Sequence, residues 1–552
     1  MTRSSIRNPI ALTGAGIAAV LAMQLWLAFN LAINWDEFFY FSEVARFVGG
    51  EDPRPLQTLH VRLFAWLTQL PGTAIDQIIA GRLVMLACQV VTMAAIASTG
   101  AHFSNWRTGL LCALAYVAGG SVLRHGFSFR TDPLAAALLM TSLWLFVTER
   151  LNAIRLVATG LLAAIAAMVT IKVVLYAPAF AAVAWMRWEQ AGRDRGALVR
   201  LAALTTITAV CFAILYLLHS GYFQAEVAQE VVTDQADAIV RSAGQDMISL
   251  GTGYPSYVMQ YALWAIPVVP AIILTPLCLR NAALDRPAKV ALAGMWGCLL
   301  VLFFYKNTLP YFFAFLTPPI LVACCVAFPA IVRRYSVTAL VAALVINAAI
   351  VTFQHRDSRI ERQQQIVLAA DMIFPEPVAY FDFPGMLPTF QKANGFMTNW
   401  GIMGYLRAGR PVYTDTLTQR PVPLLLANDP VFNPTFNAVL ADKPDSRPFL
   451  AEDAATLRDT YVPFWGPFWL AGEDLAAGET RKATIRVPGP YTVRGNSISI
   501  NGKAIQVGDV VEMERGEYTL AATIDGPARL IWGDRLRKPR NAPPPRPIWT
   551  DF

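Results

Sequence analysis

The sequence predicts a polytopic α-helical membrane protein of about eleven transmembrane helices, with a soluble α/β plus β-sandwich part towards its carboxyl end. Three observations carry this. The 552 residues are 55% hydrophobic and only 15% charged, where a soluble protein of this size would carry about 25% charge. Apolar stretches long enough to cross a bilayer recur with polar breaks between them. Beyond Gln354 the texture changes to short apolar runs separated by Gly, Pro and Asn.

The apolar stretches are 9–33, 78–100, 108–123, 133–148, 156–171, 173–187, 201–219, 257–279, 290–305, 310–331 and 336–353. Arg3 and Arg7 precede the first, and no small-residue cleavage site follows it, so it reads as an uncleaved span. The pair 156–171 and 173–187 could be one helix, and loop charge argues for two. With the split, the segments on the amino-terminal side hold 14 Lys and Arg against 4 Asp and Glu; the opposite loops hold 8 against 12. This expects the amino terminus in the cytoplasm and residues 354–552 outside, in a bacterial inner membrane with a periplasmic domain. The net charge of +7 lies wholly in the first 353 residues, since 22 basic face 22 acidic residues from Gln354 onward. Positive charge confined to membrane loops reads as topology, not as nucleic-acid binding.

Two long outer loops are expected, 34–77 and 220–256. The first has apolar residues at helical spacing (Phe41, Val44, Ala45, Val48; Leu59, Leu63, Phe64, Leu67), which predicts helices lying on the membrane surface. Residues 354–479 form an expected α/β segment with strands at Val378–Phe381 and Val422–Leu426. Residues 480–552 alternate apolar and polar, with turns at Asn501-Gly502 and Arg515-Gly516, and predict a small antiparallel β-domain followed by a tail at Pro543-Pro544-Pro545. All seven cysteines lie in apolar stretches and read as small fillers, without a disulfide frame or metal site.

Candidate chemistry gathers at the outer membrane face. Asp36-Glu37 follows the first span directly, among Trp35, Phe38, Phe39 and Tyr40, which would hold the acids at the interface. Such a carboxylate suits a general base; alone, it also suits a solvated loop acid. The second outer turn, Arg124-His125-Gly126-Phe127-Ser128-Phe129-Arg130-Thr131-Asp132-Pro133, holds two arginines and an acid; interfacial anchoring and a helix cap at Asp132 are its plain alternative. Lys172 and Lys306 stand in later outer turns, where a snorkelling lysine is the plain alternative. His60 and Arg62 lie in the first loop. Together, acids and cations on one face suit a substrate with an anionic phosphate and a hydroxyl to be deprotonated. No Walker lysine loop, His-Glu-x-x-His or Gly-x-Ser-x-Gly occurs, so ATPase, metalloprotease and serine-hydrolase readings lack support.

These motifs, in this order, resemble the GT-C glycosyltransferases that use polyprenyl-phosphate sugars, closest to the branch of protein O-mannosyltransferases and the lipid A aminoarabinose transferase. The resemblance covers roughly residues 10–335. It rests on Asp36-Glu37-Phe38-Phe39-Tyr40, Arg130-Thr131-Asp132-Pro133-Leu134, Thr170-Ile171-Lys172, and Lys306 through Pro310-Tyr311-Phe312 to Pro318-Pro319. The chain departs from the family pattern after Gly49-Gly50, where Gln57-Thr58-Leu59-His60-Val61-Arg62 replaces a Lys-Pro-Pro-type stretch. The resemblance implies transfer of a sugar from a polyprenyl-phosphate donor to a glycan, lipid or protein acceptor, with inversion. Asp36 would be the base. Glu37 and Asp132 would orient acceptor or base, or hold a divalent metal ion if one is used. Lys172, Lys306, Arg124 and Arg130 would bind the donor phosphate. His60 and Arg62 stand in the stretch that departs from the family and are candidates for the acceptor or loop from their place in this sequence alone. A transporter or flippase for a lipid-linked or anionic molecule is the alternative, although the chain shows no internal repeat. A cell-envelope scaffold is a third reading, and it leaves the acids beside Trp35 without a role.

Overall fold

The computed structural model describes residues 9–51, 59–148, 152–220, 254–356, 359–395, 399–432 and 449–549. The eleven apolar stretches all fall on helices. Among the described residues, six helices are long and apolar enough to cross a membrane, and up to eight if each of two sharply bent pairs is one span. Trp106–Ala118 and Ala153–Val169 are shorter apolar helices. Most of the outer loop 220–256 lies outside the described residues.

The first helix, α1 (Pro9–Asn30), is followed by α2 (Trp35–Val48), α3 (Leu59–Phe64) and α4 (Ala74–Phe103). Asn34 caps α2: its side-chain oxygen accepts from the Asp36 amide at 3.0 Å, while Glu37 Oε2 accepts from the Asn34 amide at 3.0 Å. After α5 (Trp106–Ala118) and α6 (Gly120–His125), a short turn leads into α7 (Thr131–Thr148). Helix α7 begins at Thr131, so Asp132 sits in its first turn, not at the cap expected from Asp132-Pro133. The stretch 156–187 is broken: α8 (Ala153–Val169) stops at Thr170, a 3-10 turn covers Ile171–Tyr176, and α9 (Ala177–Gln190) follows. Thr170 turns the chain by accepting from the Lys172 amide at 3.4 Å. Helix α10 (Arg195–His219) packs on α8.

The helix Phe312–Ala323 runs through the centre of the bundle, and every residue of it is buried. It contains Pro318 and Pro319, which lack the amides that would serve the carbonyls of Ala314 and Phe315 four residues back. Two tyrosines replace those donors. Tyr116 on α5 donates to the Ala314 carbonyl at 2.9 Å, and Tyr176 donates to the Phe315 carbonyl at 2.6 Å. In a membrane, where an unmet carbonyl is costly, this lets the double proline stay helical.

The soluble part has two sheets. The larger contains β1 (Tyr380–Phe381), β2 (Leu424–Leu426), β3 (Tyr461–Trp465), β4 (Phe468–Leu475), β6 (Gly489–Gly495), β9 (Val510–Met513) and β11 (Ala528–Trp532), in the order β1-β2-β4-β11-β6-β9 with β3 also on β4. Only β1 and β2 are parallel. The smaller sheet has β5 (Thr480–Ile485), β10 (Gly516–Ala522), β7 (Ile498–Ile500) and β8 (Lys503–Ile505), in that order. Asn501 and Gly502, at φ 50° and 84°, form the tight turn of the β7–β8 hairpin that the sequence calls for. The expected boundary at 479–480 falls inside the larger sheet, because β4 pairs with β2 on one edge and β11 on the other.

One apolar core unites the outer loop with the soluble part: Phe38 and Phe41 of α2 and Phe64 of α3 pack in a single cluster with Tyr380, Phe383 and Trp549. The helix Ile360–Ile373 helps the join. Its fully buried Gln363 accepts from the Ile33 amide at 2.8 Å and donates to the Ile33 carbonyl at 2.9 Å. The segment after Pro543 returns to α2. Trp549 meets Trp35 and Phe38 edge-on at 6.5 and 5.7 Å, and its indole N–H donates to the Asn428 carbonyl at 2.8 Å.

Candidate active site

The two adjacent carboxylates of α2 face different surroundings. Glu37 is fully buried. It accepts from Arg82 Nε at 2.8 Å and Nη2 at 2.6 Å, from the Phe129 amide at 2.8 Å, and from the Asn34 amide. Arg82, on α4, spends its remaining hydrogens on the carbonyls of Ala28, Leu31 and Ala32 at 2.7–3.1 Å, which closes the open end of α1. Burial alone would raise the Glu37 carboxyl, but the Arg82 guanidinium and the backbone amides outweigh it and hold it below the usual range. Every oxygen of Glu37 is committed to holding α1, α2, α4 and the 129 turn together.

Asp36 points the other way, with its side chain 14% exposed, and pairs with Arg130. Arg130 stands in the turn before α7 and reaches Asp132 Oδ2 at 3.5 Å through Nε. Asp132 accepts from Lys172 Nζ at 2.6 Å through its other oxygen. Asp36, Arg130, Asp132 and Lys172 thus form one line of alternating charge, contributed by α2, the turn before α7, α7 and the 3-10 turn after α8. Asp132 and Arg130 are nearly shut away, at 1% and 4% exposure, while Asp36 and Lys172 show 14% and 13% at the ends. Tyr311 lies under the guanidinium of Arg130, with 3.4 Å from Cζ to its ring centroid, and 5.3 Å from Lys172 Nζ. Tyr40 flanks the opposite side, 5.8 Å from Arg130 and 3.5 Å from the Thr131 hydroxyl. Burial pulls Lys172 below the usual lysine range against the attraction of Asp132.

The other sequence candidates are spread more widely. His60 is buried and meets the Tyr40 ring edge-on at 5.2 Å, lining a small recess with Phe129, Arg130 and Thr131. Arg62 binds His219 at the end of α10, with Nε 3.0 Å from Nδ1, and covers Phe47. Arg124 is buried with its guanidinium over Trp264, at 5.4 Å, outside the line of ion pairs. Lys306 is half-buried in the turn that carries Tyr311. Of the stretch 57–62, where the sequence leaves the family pattern, residues 57 and 58 lie outside the described residues and 59–62 fall on α3.

Two residues the sequence reading passed over matter. Arg82 fell inside an expected span, and a lone arginine in an apolar stretch was its signal. Trp549 fell beyond the proline run and gave no signal beyond its apolarity. A guanidinium separates Asp36 from Asp132, and Glu37 is turned onto Arg82; among the described residues no group of three suitable ligands is assembled.

Beside Lys172 the bundle opens into an apolar groove of about 620 Å³ between α7, α8, α9 and α10. Leu139, Phe146, Ala163, Phe180 and Phe212 line it, and Val173, the residue next to Lys172, stands at its wall.

No protein-family profile matches the sequence, and neither does any curated protein. Solved structures match the fold. ArnT from Cupriavidus metallidurans, crystallised with undecaprenyl phosphate, superposes with a TM-score of 0.55 at 12% identity, over 79% of this chain and 95% of that one. The oligosaccharyltransferase of Archaeoglobus fulgidus in the apo form gives 0.53 at 10% identity, over 97% and 98%. The chain therefore shares the fold of ArnT and of this oligosaccharyltransferase.

Proposed function

We propose that the protein is a membrane glycosyltransferase of the GT-C type, which moves a sugar from a polyprenyl-phosphate donor to an acceptor hydroxyl at the outer membrane face. The observation that carries this reading is the alternating line Asp36–Arg130–Asp132–Lys172 beside an apolar groove. A polyprenyl-phosphate sugar has the matching halves: a long apolar chain and an anionic phosphodiester head, which gains its second negative charge on release of the sugar. The chain would occupy the α7–α10 groove and the phosphate would take Lys172 and Arg130, with Lys306 approaching from the Tyr311 turn. The undecaprenyl phosphate bound to ArnT supports this donor class.

Without substrate, each cation is neutralised by a site carboxylate, which lowers the cost of holding charge in a buried place. A donor phosphate competes with those carboxylates. When it draws Arg130 away, Asp36 loses its partner and is free to accept a proton. The acceptor oxygen then bonds to the anomeric carbon, the bond from that carbon to the phosphate oxygen breaks, and the acceptor proton passes to Asp36. The electron pair leaves with polyprenyl phosphate, whose growing charge Lys172 and Arg130 stabilise. Attack opposite the leaving phosphate inverts the anomeric centre.

The test uses purified full-length protein in nanodiscs with synthetic polyprenyl-phosphate sugars, following release of polyprenyl phosphate. Release by wild type that is abolished in Asp36→Asn is the expected result. Full release in Asp36→Asn removes Asp36 as base. Absence of donor binding across several sugars, with counterflow of a lipid-linked substrate in vesicles, would replace the reading with transport.

A further inference from the structure

The soluble domain contains a second feature with its own chemistry. A groove of about 640 Å³, open to solvent, runs between the end of β6, the turn at Val507-Gly508 and the strand-exit segment 535–538. Four cations line it, Arg494, Arg535, Arg537 and Lys538, and no acid does. Arg494 and Lys538 share one aromatic ring: their charged ends lie 5.4 and 5.5 Å from the Phe464 ring centroid.

Two other cations of the domain are neutralised by acids. Arg529 is clamped by Asp474, and Arg481 is paired with Glu473 and Glu479. None of the four groove cations forms an ion pair among the described residues. Like charges gathered without counter-charge destabilise one another, so the cluster is held by the backbone instead. Arg494 donates to the Leu536 carbonyl, Arg535 Nε to the Gly508 carbonyl at 3.2 Å, and the Arg535 amide to the Thr492 hydroxyl at 2.9 Å. Thr492 in turn donates to the Gly533 carbonyl at 2.6 Å. Arg537 and Lys538 remain exposed at the rim. Burial and then the neighbouring Arg529 pull both Arg494 and Lys538 below their usual ranges, the sense expected where positive charge is crowded.

We infer that this groove is a binding site for an anionic glycan, a chain carrying repeated carboxylate or phosphate groups. Cations spread along an open channel suit charges repeated along a polymer; a single phosphate would be better served by an enclosed pocket. The walls at Gly495 and Gly508 carry no side chain and leave room for sugar rings. Val507 is the only exposed apolar side chain of the lining, so the surface offers little to an acyl chain. The inference is independent of the transferase reading, since neither Asp36 nor a donor lipid enters it.

The test measures binding of a fluorescent oligogalacturonate to full-length protein in nanodiscs of neutral lipid, wild type against the Arg537→Ser/Lys538→Ser double variant. Both side chains are exposed and form no ion pair among the described residues, and Lys538 gives up a single ring contact with Phe464, so the variant should melt close to the wild type. The expected result is binding that weakens with salt, weakens by about tenfold or more in the double variant, and is absent for neutral dextran. Equal binding by wild type and variant overturns the site. Pyrophosphate binding as tightly as the oligosaccharide overturns the glycan assignment in favour of an isolated anion site. Engagement of phosphatidylglycerol vesicles without oligogalacturonate binding overturns it in favour of a lipid headgroup surface.

Discussion

Asp36 and Glu37 are neighbours with opposite duties, and separating them by substitution tests the site directly. Glu37→Gln keeps the shape but replaces one carboxylate oxygen by an NH2 that faces donors. Those donors are Arg82 Nε and Nη2, and the amides of Asn34 and Phe129, all within 3.0 Å of the carboxylate. Removing one member of a buried ion pair costs about 3–5 kcal/mol. Arg82 keeps its three carbonyl partners on α1, which places the loss near the lower end, about 3 kcal/mol. At about 2 °C per kcal/mol for a large chain, the midpoint should fall by about 6 °C. Asp36→Asn acts on a side chain at the solvent end of the line and should shift the midpoint by less than about 2 °C, while abolishing sugar transfer. The assay pairs thermal unfolding in nanodiscs with polyprenyl phosphate release well below both midpoints. Glu37→Gln should retain transfer in the fraction that stays folded. A Glu37→Gln protein that melts like wild type yet transfers nothing, beside an active Asp36→Asn, would refute the division of labour.

Four further outcomes follow from the same geometry. Lys172→Met should weaken donor binding by about tenfold or more, seen as a raised KM, while Lys172→Arg recovers part of it; unchanged KM removes Lys172 from the phosphate. Tyr176→Phe orphans the Phe315 carbonyl and should cost about 1–2 kcal/mol in unfolding, and an unchanged midpoint would mean that Pro319 is tolerated without that donor. Transfer should persist in EDTA because Arg130, not a cation from solution, bridges Asp36 and Asp132; loss that Mn²⁺ restores would overturn this. Burial raises the Glu473 carboxyl to about 7 against the pull of Arg481, so its protonated form favours folding. That contribution is full below pH 4.5 and is lost as pH rises through 7, and Glu473→Gln should flatten the fall in stability measured across this window.

The membrane part was legible because its signals are local. Apolar runs mark helices whatever they pack against, and the break between 156–171 and 173–187 followed from the charge of the flanking loops. Arg130, Asp132 and Lys172 could be gathered because loop charge assigned their turns to one face. What a shared face does not determine is direction. Arg124 stands six residues before Arg130 but ends up on α6 and lies over Trp264, and Glu37 stands beside Asp36 but turns to Arg82. Both outcomes depend on helix rotation and long-range packing, which no motif encodes. The soluble part was harder for the same reason: β4 belongs to strands on both sides of an apparent boundary, and that pairing joins residues far apart in the chain.

The attachment of that soluble part bears on the chemistry. Asp36 is fixed by α2, and α2 is gripped from the soluble side by Trp549 on Trp35 and Phe38, and by Gln363 on the Ile33 backbone. From the membrane side it is gripped by Arg82 through Glu37. Arg130 and Lys172 arrive on separate membrane elements and meet Asp36 only where these grips place it. A line of alternating charges is sensitive to such placement, because each ion pair weakens with distance and each unpaired member is costly once buried. In the proposed mechanism the carboxylate that lets go of Arg130 therefore sits on a helix clamped from both sides, and the donor phosphate would change the partner of Asp36 without requiring Asp36 to move.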